Sequence, residues 1–177
     1  MTIPLPDFSG MSDDEALAYA TDFLTRLEDV VGRTPDDTEM LDGIRRLPEG
    51  TVGALGFILY GVPAIFRPEQ AEGETGTVVF ALDDGERTVR FCMEFLPGEC
   101  RVTEPPADPD AVIRLSFAVF LRIAFKFMDG NDAYLAGLTD VTGDVFLATH
   151  LDQWFGVPGD ALTDEATAAR LASGARS

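Results

Sequence analysis

Lysine is almost missing from this chain. Lys126 is the only one, and it stands with twelve arginines against 31 acidic residues, for a formal net charge of −18. Phosphate backbones are gripped by clustered Lys and Arg, so nucleic acid is excluded as a partner. The same repulsion opposes docking on an anionic membrane. Histidine is as scarce: His150 is alone, with no second His or Cys at ligand spacing beside it, so no metal is expected. Cysteine occurs only as Cys92 and Cys100. No apolar run reaches the roughly 20 residues that cross a bilayer, so no stable membrane insertion is expected. The segment Met1-Thr-Ile-Pro-Leu-Pro lacks the basic and apolar regions of a signal peptide. Ala175-Arg-Ser177 is no peroxisomal address. The expected location is the cytoplasm of a bacterium or archaeon.

Apolar side chains are plentiful. They make up 46% of the 177 residues and include 13 Phe. Each buried Phe is worth roughly 1.5–3 kcal/mol, so these rings either dominate a core or leave apolar surface for a ligand. The densest stretch is Phe117 to Met128, where ten of twelve residues are apolar. Read as one helix, it sets its two charges, Arg122 and Lys126, on a single narrow face. Such a helix is buried on several sides or walls an apolar chamber.

Periodicity divides the chain. Ser12 and Glu15 form a capping box, and Leu17, Ala20, Phe23, Leu24, Leu27, Val30 and Val31 follow at helical spacing, predicting nearly twenty residues of helix. A shorter helix starts at Pro35-Asp36-Asp37 and runs through Met40, Leu41, Ile44 and Leu47. Thr51 to Phe66 is apolar, but Gly53, Gly56, Gly61 and Pro63 argue against one regular helix. The Gly56–Gly61 spacing lacks the Lys and Ser/Thr of a phosphate loop and reads as close packing. Residues 67–75 are a polar joint.

Beyond it the period becomes two. Val78, Phe80 and Leu82 share one face of a strand, and Val89, Phe91, Met93 and Phe95 share one face of the next. A two-residue turn at Pro97-Gly98 pairs residue 95 with 100 and 92 with 103. Cys92 and Cys100 then lie on opposite sides of the sheet and are expected as free thiols. Ala111, Ile113 and Leu115 form a fourth strand, and Ser116 caps the apolar helix. A short helix from Asn131 to Leu138, a short strand at Thr139–Gly143 and a core helix from Asp144 to Phe155 follow. The core helix carries Leu147, Leu151, Trp154 and Phe155 on one stripe. A weak helix over Thr163–Leu171 and a frayed end complete the chain. The class is α+β.

Four segments resemble the sterol carrier protein 2 family. They are Pro63 to Ala71, Asp108 to Ser116, Asp129-Gly-Asn-Asp-Ala-Tyr134, and Gly137-Leu-Thr-Asp-Val141-Thr-Gly143-Asp144. The last has a physical logic: Gly137 ends a helix in a left-handed conformation, Val141 is buried on a strand, Gly143 allows a tight exit, and Asp144 caps the next helix. The resemblance implies a five-stranded, antiparallel-rich sheet covered by helices around an apolar tunnel. The domain would span 63–157, after an N-terminal helical extension (1–62) packed on that core and before a C-terminal tail (158–177). The chain departs from the family in lacking a Pro after Asp132, in its acidity, and in the extension, which is open to two readings, a lid or a dimerisation element. A homodimer therefore joins the expected partners.

No residues assemble into a catalytic constellation. His150 sits beside an apolar stripe and reads as structural or surface-exposed. Asp129 to Asp132 lacks the glycine and terminal Glu of a calcium loop and reads as a helix cap. Ser116 has no neighbouring base. The residues that would line a sheet–helix gap are Phe80, Phe91, Met93, Phe95, Ile113, Leu115, Phe117, Phe120, Leu121, Phe125 and Met128. Apolar walls with few polar groups suit a lipid. The expected function is to hold a fatty acyl chain, a sterol-like molecule or another hydrophobic small molecule, as carrier or reservoir, without a cofactor. Arg122 or Lys126 would meet its head group at the rim or face water. The alternative is a biosynthetic enzyme or accessory acting on a polyketide or terpenoid intermediate in the same chamber, with His150, Tyr60, Tyr134 or an acid as proton donor.

Overall fold

The computed structural model describes residues 3–162, which fall into two compact units. The predicted helix and fraying after Thr163 lie outside the described residues.

One unit is helical and comprises 3–65 and the described residues from Val157 onward. Helix α1 (Asp13–Arg33) begins at the expected capping box, with Ser12 accepting from the Glu15 N–H and Glu15 closing back on the Ser12 N–H. Asp36 caps α2 (Asp37–Arg45). The stretch after it corrects the expectation of a broken segment, because α3 is one helix over Gly50–Ile65 with Pro63 in its last turn. Burial on all sides outweighs the low propensity of its glycines. Gly56 is needed there: a Cβ would lie 2.2 Å from the Pro4 carbonyl oxygen. Phe8, Tyr19, Phe23 and Phe57 pack edge-on or tilted among these helices, with ring centroids 4.4–6.5 Å apart. A 3-10 turn at Pro158–Leu162 contacts α1 and α3.

The second unit, Phe66–Gly156, holds the sheet. A four-residue helix α4 (Pro68–Ala71) occupies the polar joint and leads into β1 (Gly76–Asp83), β2 (Thr88–Leu96), β3 (Glu99–Thr103) and β4 (Ala111–Ser116). Strand β5 (Thr139–Gly143) completes the order β3-β2-β1-β4-β5. Pairing is antiparallel throughout except between β1 and β4, which run parallel. The predicted β2–β3 register is observed: Cys92 faces Thr103 and Phe95 faces Cys100. Both cysteines are free and buried.

Register sorts the side chains. Phe80 opposes Phe91 on one flank and Ile113 on the other, and Leu82 likewise opposes Val89 and Leu115. All of these lie on one buried face. The opposite face carries exposed Arg90, Arg101, Arg114 and Asp140.

Asp110 fixes one end of this sheet. Its carboxylate accepts from the Thr77 N–H at 2.8 Å, its own N–H donates to the Thr77 carbonyl, and its carbonyl accepts from the Asp144 N–H at 2.9 Å. Gly143 sits in a left-handed conformation (φ 89°) against the same carbonyl, where a Cβ would come within 2.3 Å. Val141 is only half-buried, a correction that follows from β5 being an edge strand. Gly143→Ala is expected to cost about 2 kcal/mol or more, through backbone strain plus the clash. Urea unfolding of the variant measures it.

Candidate functional site

The buried sheet face meets the apolar helix, which is shorter than the sequence suggests. Ser116 caps α5 (Phe117–Ala124) by accepting from the Val119 N–H. The helix does not continue to Met128. The Phe127 N–H reaches back to the Arg122 carbonyl and the Lys126 N–H to that of Ile123, with Lys126 left-handed at φ 65°. This is a Schellman ending with lysine where glycine is usual. Arg122 and Lys126 therefore do not share a helix face. The Lys126 ammonium donates to the main-chain carbonyl of Asp152, and the residue is exposed. That tether accompanies the unfavourable backbone conformation.

Asp129 then caps α6 (Gly130–Leu135), accepting from the Asn131 and Asp132 N–H groups as expected. Gly137 ends α6 left-handed at φ 75°. Asp144 caps α7 (Val145–His150) by accepting from the Leu147 N–H. The predicted core helix to Phe155 is divided: α7 stops at His150, and Leu151–Trp154 form a 3-10 turn. Phe155 is extended and bridges Phe66, while the Arg67 N–H donates to the Trp154 carbonyl. Leu147, Leu151, Trp154 and Phe155 are all buried, as their spacing requires.

Two aromatic clusters lie in the layer. Phe80 and Phe91 stack at 5.1 Å with their planes 6° apart, and Phe120 stands edge-on to both at 6.0 and 5.9 Å. Phe117 lies 6.4 Å from Phe120. In the second cluster Phe95 meets Trp154 at 5.2 Å, Phe66 at 5.8 Å and Phe155 at 6.0 Å. Ten of the eleven residues chosen from sequence are buried, Met93, Ile113, Leu115, Leu121 and Phe125 among them. Met128 is half-buried. It lines an open recess of about 230 Å³ with Lys126, Phe127, Asp129, Asp152 and Gln153. Phe66, Trp154 and Phe155 complete the Phe95 cluster and were absent from the chosen set. The apolar stripe marked the last two, but a helix to Phe155 does not show that they reach Phe95.

The polar groups are few. Burial pushes the Asp152 carboxyl up and the Lys126 ammonium down. Asp152 Oδ2 accepts from the Gly130 N–H at 3.0 Å, and Oδ1 packs where a Gly130 Cβ would be, 2.8 Å from that position. His150 stacks on exposed Phe146 at 4.2 Å, with Nδ1 3.0 Å from the Phe146 carbonyl. Leu135 and Leu138, before β5, and Val145 and Phe146, after it, are exposed apolar residues. Tyr134 is half-buried on α6, and Tyr60 packs on Phe8 in the helical unit. No described helix is long and apolar enough to cross a membrane.

Burial pushes the Cys100 thiol up to about 12 and raises that of Cys92. Neither is a thiolate near pH 7. Iodoacetamide is expected to spare both in the folded protein and modify both in urea, read by mass spectrometry. Asp152 gives a pH dependence. Its folded value lies above the ordinary 3.8, so the folded state binds the proton more tightly. Stability falls as pH rises from that ordinary value through the folded one. Asp152→Asn is expected to flatten this part of the stability profile and to leave the protein no less stable at pH 7, measured by thermal unfolding across pH.

No curated protein matches the chain. Among solved structures, apo sterol carrier protein 2 from Yarrowia lipolytica is 18% identical, with a TM-score of 0.48, over 64% of this chain and 93% of that one. A conserved hypothetical protein from Thermus thermophilus, described as possibly a sterol carrier protein, is 16% identical (TM-score 0.44; 65% and 85% covered). A palmitated sterol carrier protein 2-like protein from Aedes aegypti is 20% identical (TM-score 0.44; 55% and 89% covered). The model of the SCP-2 sterol transfer family matches residues 67–156, half of the sequence and nearly all of the sheet-bearing unit. The chain belongs to the SCP-2 sterol transfer family.

Proposed function

We propose that the sheet-bearing unit binds a lipid, an acyl chain or a sterol-like molecule, between its apolar sheet face and α5, and acts as a carrier or reservoir. The observation that carries this reading is the Phe80–Phe91–Phe120 cluster, built inside the segment that matches a sterol transfer family. Each methylene moved from water into such a layer contributes about 0.8 kcal/mol. A chain of ordinary length thereby offsets the cost of association.

The rings touch one another, so a ligand enters by parting the sheet from α5 rather than by filling a rigid tunnel. Support for this route lies at the end of α5. The helix is only eight residues long, and beyond its left-handed turn Phe127 is 51% exposed and Met128 half-buried. Phe120, edge-on to two sheet rings and carried by that helix, is the side chain a ligand displaces. The lining consists of the buried residues already described, with Met128 at the mouth.

The test is lipid extraction and mass spectrometry of the purified protein, together with titration of a fluorescent fatty acid. A copurifying lipid and saturable probe binding are expected. Phe120→Trp adds bulk at the displaced ring. It is expected to weaken probe binding at least about tenfold, some 1.4 kcal/mol, while circular dichroism shows the fold retained. A protein that yields no lipid and binds no acyl probe is not a carrier.

A further inference from the structure

The opposite face of the sheet presents a second kind of surface. Parallel pairing of β1 with β4 and antiparallel pairing with β2 place Arg90, Ala81 and Arg114 in one cross-strand row. Both arginines are exposed and stand on either side of a residue that ends at Cβ. Two residues further along, roughly 7 Å away, the next row on this face is Thr88, Asp83 and Ser116. These six residues, with Leu115, line an open depression of about 480 Å³.

The two arginines in this depression lack a close acidic partner. Arg26, Arg33, Arg45, Arg87 and Arg101 each pair with a nearby acid. Among the described residues Arg90 has no acidic partner. Arg114 has only a loose one, Asp140 at 3.9 Å, with both side chains more than half exposed. The two main chains that carry the guanidinium groups are roughly 10 Å apart, two strand spacings, so both forks reach a single anion above Ala81. Guanidinium forks match the oxygens of phosphate and carboxylate. The second row favours hydroxyl groups. Asp83 accepts from the Gly85 N–H through Oδ1, and Ser116 Oγ, which accepts from the Val119 N–H, keeps its hydrogen for donation.

We propose that Arg90 and Arg114, across Ala81, form an anion site on this face that takes a small phosphate ester bearing a hydroxyl group. The phosphate lies between the two guanidinium groups, and the hydroxyl reaches the row of Thr88, Asp83 and Ser116. The distant acids of the chain are screened beyond about 8 Å at physiological ionic strength, whereas the two arginines act at contact. The site is water-soluble chemistry and is independent of the lipid reading.

Amide chemical-shift titration tests it, with glycerol 3-phosphate and inorganic phosphate as probes. Saturable shifts centred on Ala81, Arg90 and Arg114 are expected, with tighter binding of the ester. Arg90→Ala/Arg114→Ala is expected to weaken binding at least about tenfold with an unchanged melting temperature, since both side chains are exposed. No saturable shift there, or equal binding by the double variant, overturns the site. Equal affinity for inorganic phosphate overturns the role of the hydroxyl row. The same chemistry occurs on phosphatidylglycerol, so flotation with vesicles of phosphatidylglycerol and phosphatidylcholine separates the two sources. The net charge predicts no flotation. Flotation that requires both arginines, without free-ester binding, overturns the free ester as ligand.

Discussion

The sheet depends on Asp110. A strand that slips by one residue turns every side chain to the other face. Asp110 blocks that slip at three places, bonding the start of β1, leading into β4 and receiving the first N–H after β5. Only with the strands so aligned does Phe80 lie over Phe91 and beside Ile113. The same alignment that gathers rings on one face gathers arginines on the other, because alternate residues of one strand serve both. The candidate lipid layer and the candidate anion site are two consequences of a single register.

On the aromatic face, packing and polarity are separated along α5. Its first five residues are buried and carry no charge. Its end turns into a cluster where Lys126, Asp129 and Asp152 meet the main chain of α6 and the 3-10 turn. Each polar group there bonds mostly to backbone rather than to another side chain. This arrangement holds the end of the helix by directional bonds; at its start Ser116, the last residue of β4, caps it through the Val119 N–H, and the Phe117 and Phe120 rings pack by contact.

Much of this was legible in the sequence where the signal is local. Capping at Ser12, Ser116, Asp129 and Asp144 rests on a side chain and an N–H two or three residues apart, and all four caps are present. The β2–β3 register followed from the length of one turn. What could not be read was decided at a distance. The early end of α5 has no glycine to announce it, since Lys126 takes the left-handed position while bonded to a carbonyl 26 residues away. The division of the last helix likewise belongs to the Phe66–Phe155 bridge. The unbroken α3 reflects burial that composition alone does not measure. For the candidate site, alternation identified which residues face inward, but not that Phe95 belongs to a second cluster around Trp154.

The margins of the sheet bear on how the protein behaves in crowded solution. Leu135, Leu138, Val145 and Phe146 leave oily surface before and after β5, which among the described residues has no strand on its outer side. Bare strand margins with greasy flanks invite copies to zip together into aggregates. Here both margins are only five residues long, and each carries charge: Asp140 within β5 and Asp144 just after it on one side, Glu99 and Arg101 on the other. Copies approaching through β5 meet like charge before they can form a ladder, while the β3 margin carries an internal Glu99–Arg101 ion pair. The formal net charge of −18 adds repulsion between copies over the whole surface.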